Sequence, residues 1–248
     1  MEGSSIASSF SDIVSRPSSY QCTIEELSFI CSDVFILKIK PRGENTDFSF
    51  IPGQFIGVTN PDWRFLHPVH YFSIASSPKS PYIELCVKIF GEWTKSLSKK
   101  KAGEYLEITE PKGKFIFDTK KESVFLAGGV GIVPFMSMLR SIEKSNRHKI
   151  SILYGSRNLN SIYYKKEIEE TCNTLKIKLV HILSDEISGW KGYNGFITED
   201  MIRHEIKNVP GSTFFICGPP VFVTKMEDIL SRMSVKNANI KRELLTRI

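Results

Sequence analysis

The sequence predicts two domains: an antiparallel β-barrel or sandwich, followed by a doubly wound α/β unit built on a parallel sheet. Three observations lead there. Residues 20–118 hold short runs rich in β-branched and aromatic residues, bounded by Gly, Pro, Asn or Ser. From residue 123 onward, apolar runs alternate with helical ones. The chain has 248 residues, 41% hydrophobic and 24% charged, which suits two globular domains of average size.

The elements follow in order. The first 20 residues contain eight serines and no continuous apolar block, so they read as a disordered tail over residues 1–19. They lack the basic start and apolar core of a secretory signal, and Glu2 and Asp12 argue against a transit peptide. Six strand candidates come next: "YQCTIEELSFI", "VFILKIKP", "GQFIGVTN", "VHYFSIAS", "YIELCVKIF" and "EYLEITEP". One helix-like interruption, "EWTKSLSKK", precedes the last of them. Six runs at this spacing suit an antiparallel closed or stacked sheet over residues 20–118. Beyond a boundary near residues 117–122, "SVFLAGG", "HKISILYGS", "KIKLVHILS" and "STFFICGPP" are buried-strand candidates. Between and after them lie the helical runs "PFMSMLRSIEKS", "IYYKKEIEETC", "ITEDMIRHEI" and "VFVTKMEDILSRM". Strands alternating with helices of about three turns imply a parallel sheet covered on both faces, over residues 119–248.

Composition excludes several classes. Net charge is +6, but 27 acids are mixed among 33 bases, so no nucleic-acid arm stands out. Lys99, Lys100 and Lys101 form the only dense basic run and read as a solvated turn. The five cysteines are an odd set without a CxxC pair, and the five histidines show no HExxH, so no metal is expected. Residues 123–139 are 17 uncharged positions, close to the length of a membrane span. Three glycines and a proline in the middle of that stretch fit a strand, a turn and a helix instead. No membrane span and a cytoplasmic location are therefore expected.

Two turns carry the chemistry. In "FLAGGVGIVPF", Gly128, Gly129 and Gly131 allow positive φ and close backbone approach between a strand and a helix beginning near Pro134. Amides at such a helix start face whatever fills the turn, and a diphosphate would fit; taken alone, the turn serves packing equally well. In "FFICGPP", Gly218, Pro219 and Pro220 again end a strand and open a helix, with Cys217 at the strand tip. Ligands of doubly wound sheets lie beyond such strand ends, so two special turns on one rim point to a site.

With these motifs in hand, the chain resembles the ferredoxin-NADP reductase superfamily, and within it the compact two-domain NAD(P)H-dependent flavin oxidoreductases. "HPVHYFSIASSP" resembles the family's RxYS flavin segment, "GEWTKSL" its GxxS/T segment, and "GEYLEITEPKGKF" the strand and PxGxF turn that close the barrel. "LAGGVGIVP", "YGSR" and "CGPP" resemble the nicotinamide-side turn and the next strand ends. The resemblance implies a Greek-key barrel that binds flavin and a sheet that binds a nicotinamide nucleotide. It places Ser73 at flavin N5, Phe72 where a tyrosine stacks on the flavin ring, and His70 where an arginine binds flavin phosphate, with Tyr71 between them. Phenylalanine keeps a stacking face, whereas histidine is shorter than arginine and lacks its fork. Phosphate binding would then draw on Thr94, the amides from Gly91 to Thr94, Lys88 or Arg64. FAD is the expected flavin, with FMN as the alternative.

The same resemblance sets Cys217 beside the nicotinamide and makes Glu243 an acid near the C-terminus that tunes or relays protons; an exposed surface acid is the competing reading. Leu244 and Leu245 stand where the family often has an aromatic residue. Ser184, Asp185 and Glu186 fall where the adenosine ribose approaches. The carboxylates of Asp185 and Glu186 accept ribose hydroxyls and repel a 2'-phosphate, so NADH is preferred. Arg157 and Lys191 keep NADPH as the alternative. The implied activity is hydride transfer from the nicotinamide to flavin N5, then electron transfer to a separate acceptor: an oxygenase component, a ferredoxin, a cytochrome or a free flavin. The competing reading is a non-catalytic subunit that binds a dinucleotide or a partner through a degenerate flavin site.

Overall fold

The computed structural model describes residues 19–43, 48–63, 69–117, 121–143, 149–185 and 188–244. The tail expected over residues 1–19 lies outside them except for Ser19, which opens the first strand. Arg64, Glu186 and Leu245 also lie outside.

The first sheet comprises β1 (Ser19–Cys31), β2 (Val34–Pro41), β3 (Phe55–Thr59), β4 (His70–Ser73), β5 (Ile83–Lys88) and β6 (Tyr105–Thr109). Its strands run in the order β4-β3-β6-β1-β2-β5, with every named pair antiparallel. Ile74, just past β4, bridges Leu85 of β5 and joins the two edges into a barrel. Inward residues such as Phe35, Leu37, Ile39, Ile56 and Leu85 are fully buried. Helix α1 (Gly91–Leu97) plugs the barrel with Trp93 and Leu97. Five of the six residues in β5 are buried, because the strand has two covered faces. Leu85 and Val87 point into the barrel, while Cys86 packs with the second domain.

The second sheet comprises β7 (Ser123–Gly128), β8 (Ile150–Ser156), β9 (Lys178–Leu183), β10 (Tyr193–Asn194), β11 (Thr213–Gly218) and β12 (Ile240–Leu244). All pairs are parallel, in the order β10-β9-β8-β7-β11-β12. Side chains alternate across each strand, so the sheet feeds two cores. Phe125, Ile152 and Phe215 face α2 (Val133–Arg140) and α3 (Lys165–Leu175). Val124, Leu153 and Ile216 face α4 (Glu199–Glu205) and α5 (Pro220–Arg232). The central strands β7 and β11 are buried at all six positions, which accounts for their uninterrupted apolar sequence.

The uncharged stretch 123–139 resolves into β7, a 3₁₀ turn (Gly129–Ile132) and most of α2. Among the described residues, no helix is long and apolar enough to cross a membrane. The order of connections reverses between β7 and β11, whose C-terminal ends are the "GG" and "CG" turns. A crevice at such a reversal is where open α/β sheets bind ligands.

Candidate functional site

The two glycine turns touch backbone to backbone, and that contact dictates their composition. A Cβ on Gly131 would lie 2.1 Å from the Cys217 carbonyl oxygen. One on Gly218 would meet the Phe222 ring at 2.7 Å and the Gly128 backbone at 3.3 Å. The expected positive φ occurs at Gly129 alone, at 55°, while Gly128 is extended at −120°. Gly128 and Gly131 are therefore small for close approach rather than for backbone hand. Pro134 sits in the first turn of α2, where its missing N–H leaves no bond unmade. Cys217 is fully buried beneath these turns, and burial pushes its thiol well above the ordinary value, so it packs as a neutral side chain.

Beyond the turns, a cleft of about 710 Å³ opens between the barrel and the sheet. His70, Tyr71, Phe72 and Ser73 of β4 line it, with Lys88, Thr94, Pro219 and Glu243. Val130 and Val133 form its wall on the side of the 3₁₀ turn. At its polar centre, Ser73 Oγ donates to Glu243 Oε1 at 2.5 Å. Glu243 belongs to β12, directly beside Cys217 in register. Withdrawal from water pushes its carboxyl up to about 7, against a smaller lowering by the Ser73 bond. Glu243 is thus half-buried and paired, which sets aside the exposed-acid reading.

Two expected phosphate contacts look different in three dimensions. The His70 ring stacks on Trp93, with centroids 4.0 Å apart and planes 13° from parallel. Burial holds its pKa below the ordinary histidine value, so near neutral pH it presents an uncharged ring. Phe72 continues the stack, its centroid 6.0 Å from that of Trp93. Thr94 Oγ1 accepts from Phe90 N–H at 2.7 Å and donates to Phe90 O at 2.8 Å, so its hydroxyl closes its own turn. Gly91 opens that turn at φ 78°. The cationic groups at the cleft are Lys88, which pairs with Asp33 at 3.4 Å, and Lys112. Sequence reasoning missed Lys112. It lies inside the quoted "PKGKF" turn, and its backbone is locked to Phe55 by two hydrogen bonds of 2.8 and 2.9 Å.

Arg157, Ser184 and Asp185 do not line this cleft. They form a second cluster at the ends of β8 and β9, where Ser184 N–H donates to Ser156 O and Asp185 N–H to Arg157 O, at 2.9 and 2.8 Å. Asn158 Nδ2 donates to Asp185 Oδ2 at 3.3 Å. At about 4.8 Å per strand, β9 lies roughly 14 Å from β11 along the rim, a span suited to an extended dinucleotide. Among the described residues, no group of acids, cysteines and histidines could hold a metal.

The cleft fits a flavin. Its lining combines apolar side chains, two lysines and one hydroxyl–carboxyl pair. Fold and site together define a flavin-binding barrel joined to a nucleotide-binding sheet. Comparison with known families agrees: residues 19–133 match the FAD-binding domain, and residues 125–228 match the oxidoreductase NAD-binding domain. The chain thus carries an FAD-binding domain followed by an oxidoreductase NAD-binding domain, with FAD and a nicotinamide nucleotide as their cofactors, in the two-domain fold of ferredoxin-NADP reductases.

Similar proteins include an NADH-cytochrome b5 reductase 1 of Dictyostelium discoideum, 28% identical over 68% of this chain and 62% of its own. A flavohemoprotein of Bacillus subtilis is 27% identical over 83% of this chain and 54% of its own. The chain thus spans about 55–62% of the length of the first curated relatives it matches. Among solved structures, the flavohem-like FAD/NAD-binding domain of a Vibrio cholerae nitric oxide dioxygenase superposes with a TM-score of 0.83 at 19% identity. That match covers 92% of this chain and 99% of the other.

Proposed function

We propose that this chain is an NADH-dependent flavoprotein reductase that passes electrons to a separate acceptor. The observation that carries the reading is the Ser73–Glu243 pair, which joins the flavin segment to the nucleotide sheet inside one cleft. FAD supplies a hydride acceptor and NADH the hydride, so the chain itself has mainly to bind, orient and exclude water. Phe72, Val130, Val133 and Pro219 supply apolar walls. Ser73 presents its hydroxyl at the polar end, and Glu243, poised near neutrality, holds a proton that Ser73 Oγ relays. Lys88 and Lys112 answer the anionic end of the flavin.

Asp185, fastened by Asn158, accepts ribose hydroxyls and repels a 2'-phosphate, which supports NADH; Arg157 beside it supports NADPH as the alternative. Residues 20–118 form the flavin unit and 119–248 the nucleotide unit in this reading. The acceptor is an oxygenase component, ferredoxin, cytochrome or free flavin, and the names of the relatives favour a haem protein. Five unpaired cysteines fit a reducing compartment, the cytoplasm.

The His70–Trp93 stack and the self-satisfied Thr94 favour a second reading, a non-catalytic subunit whose flavin site has degenerated. One experiment separates the two. The flavin released from purified protein is identified by mass, and anaerobic bleaching is followed with NADH and with NADPH. Bound or reconstituted FAD bleached faster by NADH is expected. No bleaching after flavin addition sinks the enzyme reading, and faster bleaching by NADPH overturns the role given to Asp185.

A further inference from the structure

Helix α2 reaches the cleft with its first residue, Val133, and the domain seam with its last, Arg140, about 10 Å away. Ser137, Arg140 and Ser141 share one face of that run, three and four positions apart. They meet residues 75, 76 and 77, two to four positions past the flavin-segment Ser73. Ser137 Oγ donates to Ser76 O at 2.7 Å, and Ser141 Oγ lies 3.4 Å from Ser77 Oγ. Arg140 Nη1 donates to Ala75 O at 2.9 Å and to Glu84 Oε1 of β5 at 2.8 Å. Its Nε and Nη2 grip both oxygens of Glu167 on α3, at 2.6 and 2.7 Å. Tyr164 Oη also donates to Glu84 Oε1, at 2.9 Å.

We infer that Arg140 is a positioning residue, fastening α2 to the barrel and so setting the gap between the nicotinamide-side turn and Ser73. This rests on the reading of the cleft as a flavin–nicotinamide site. The planar guanidinium is held in one orientation by two carboxylates and a carbonyl from three separate segments. Glu84, its partner across the seam, has a side chain only 6% exposed. Buried ion pairs add little net stability compared with apolar packing, whereas they do fix one geometry. Hydride transfer needs such a fixed gap, since small displacements at the reacting pair slow the step severely.

The test uses FAD-loaded protein carrying Arg140→Lys, Glu84→Ala or Glu167→Gln. Lysine keeps the charge without the fork, so Arg140→Lys folds even if Glu84→Ala does not. Arg140→Lys is expected to hold FAD normally, to slow flavin reduction at saturating NADH about tenfold or more, and to change KM for NADH less than about threefold. Glu167→Gln leaves the cross-seam bonds to Ala75 and Glu84 in place but loosens one of the guanidinium's two carboxylate holds, so it slows reduction less than Arg140→Lys does. A readout independent of turnover is the distance distribution between spin labels at Lys95→Cys and Lys225→Cys in a Cys31→Ser background. Arg140→Lys broadens it, and Glu167→Gln, which keeps the bonds across the seam, broadens it less. Wild-type rate and distribution in Arg140→Lys would overturn the inference. A wild-type protein that fails to bleach would instead refute the functional reading, leaving the label distances to judge the seam.

Discussion

Replacing Glu243 with glutamine tests the electrostatics of the cleft directly. Burial raises the folded-state pKa of this carboxyl from 4.5 to about 7. Between those values the unfolded chain has released the proton that the folded chain retains. Stability therefore falls as pH rises through that window, and the loss is complete above the folded pKa. The shift corresponds to a penalty of about 3 kcal/mol, an upper value because the side chain is only half-buried. Glutamine has no such proton and keeps an acceptor for Ser73. Glu243→Gln should match the wild type near pH 4.5 and exceed it by up to about 3 kcal/mol at pH 8. Urea unfolding followed by circular dichroism from pH 4.5 to 8 measures this difference. Taking the difference removes the opposing contributions of His70 and His181, whose lowered folded pKa values make stability rise with pH up to the ordinary histidine range. A gap between the two proteins that stays constant with pH would refute the reasoning. In the reductase assay the same variant should lose the limb of the pH–rate profile near neutrality.

Gly131→Ala forces a methyl against the Cys217 carbonyl, backbone that moves only if β7 and β11 part, and should cost about 3 kcal/mol in thermal or urea unfolding. A variant as stable as the wild type would show that the turns are not in contact. His70→Ala removes the Trp93 stack and should cost about 1 kcal/mol while weakening FAD binding only modestly by titration. A hundredfold loss of FAD affinity would instead make His70 a phosphate clamp. Asp185→Ser should raise kcat/KM for NADPH relative to NADH by about tenfold, and an unchanged ratio would take coenzyme choice away from Asp185.

Much of the architecture was legible because it is written in short windows. Short runs rich in β-branched and aromatic residues, bounded by turn residues, mark the barrel strands, and β7 and β11 declare their burial by carrying no polar residue after Ser123 and Thr213. The glycine turns stood out for the same reason, although their geometry separated Gly129, which needs positive φ, from Gly128 and Gly131, which need only to be small. Strand β12 was missed. "IKREL" carries two basic residues and an acid because it is the edge strand, exposed or half-exposed throughout. Lys112 was passed over for a similar reason, as a lysine in a turn looks like any solvated lysine.

By itself, the sequence determined the order of the two domains, the class of each sheet and the rim on which the special turns lie, since each depends on residues close together in the chain. Only the tertiary structure decided what those residues meet. Ser73 and Glu243 are 170 residues apart, and no local pattern distinguishes a carboxyl at a cleft from one in water. His70 could be read as a weak cation until Trp93 covered its face. Nothing in the helical run "PFMSMLRSIEKS" marks Arg140 as the residue on which Ala75, Glu84 and Glu167 converge. Burial and partnership set the charge and direction of each of these groups, and both arise only when distant segments pack.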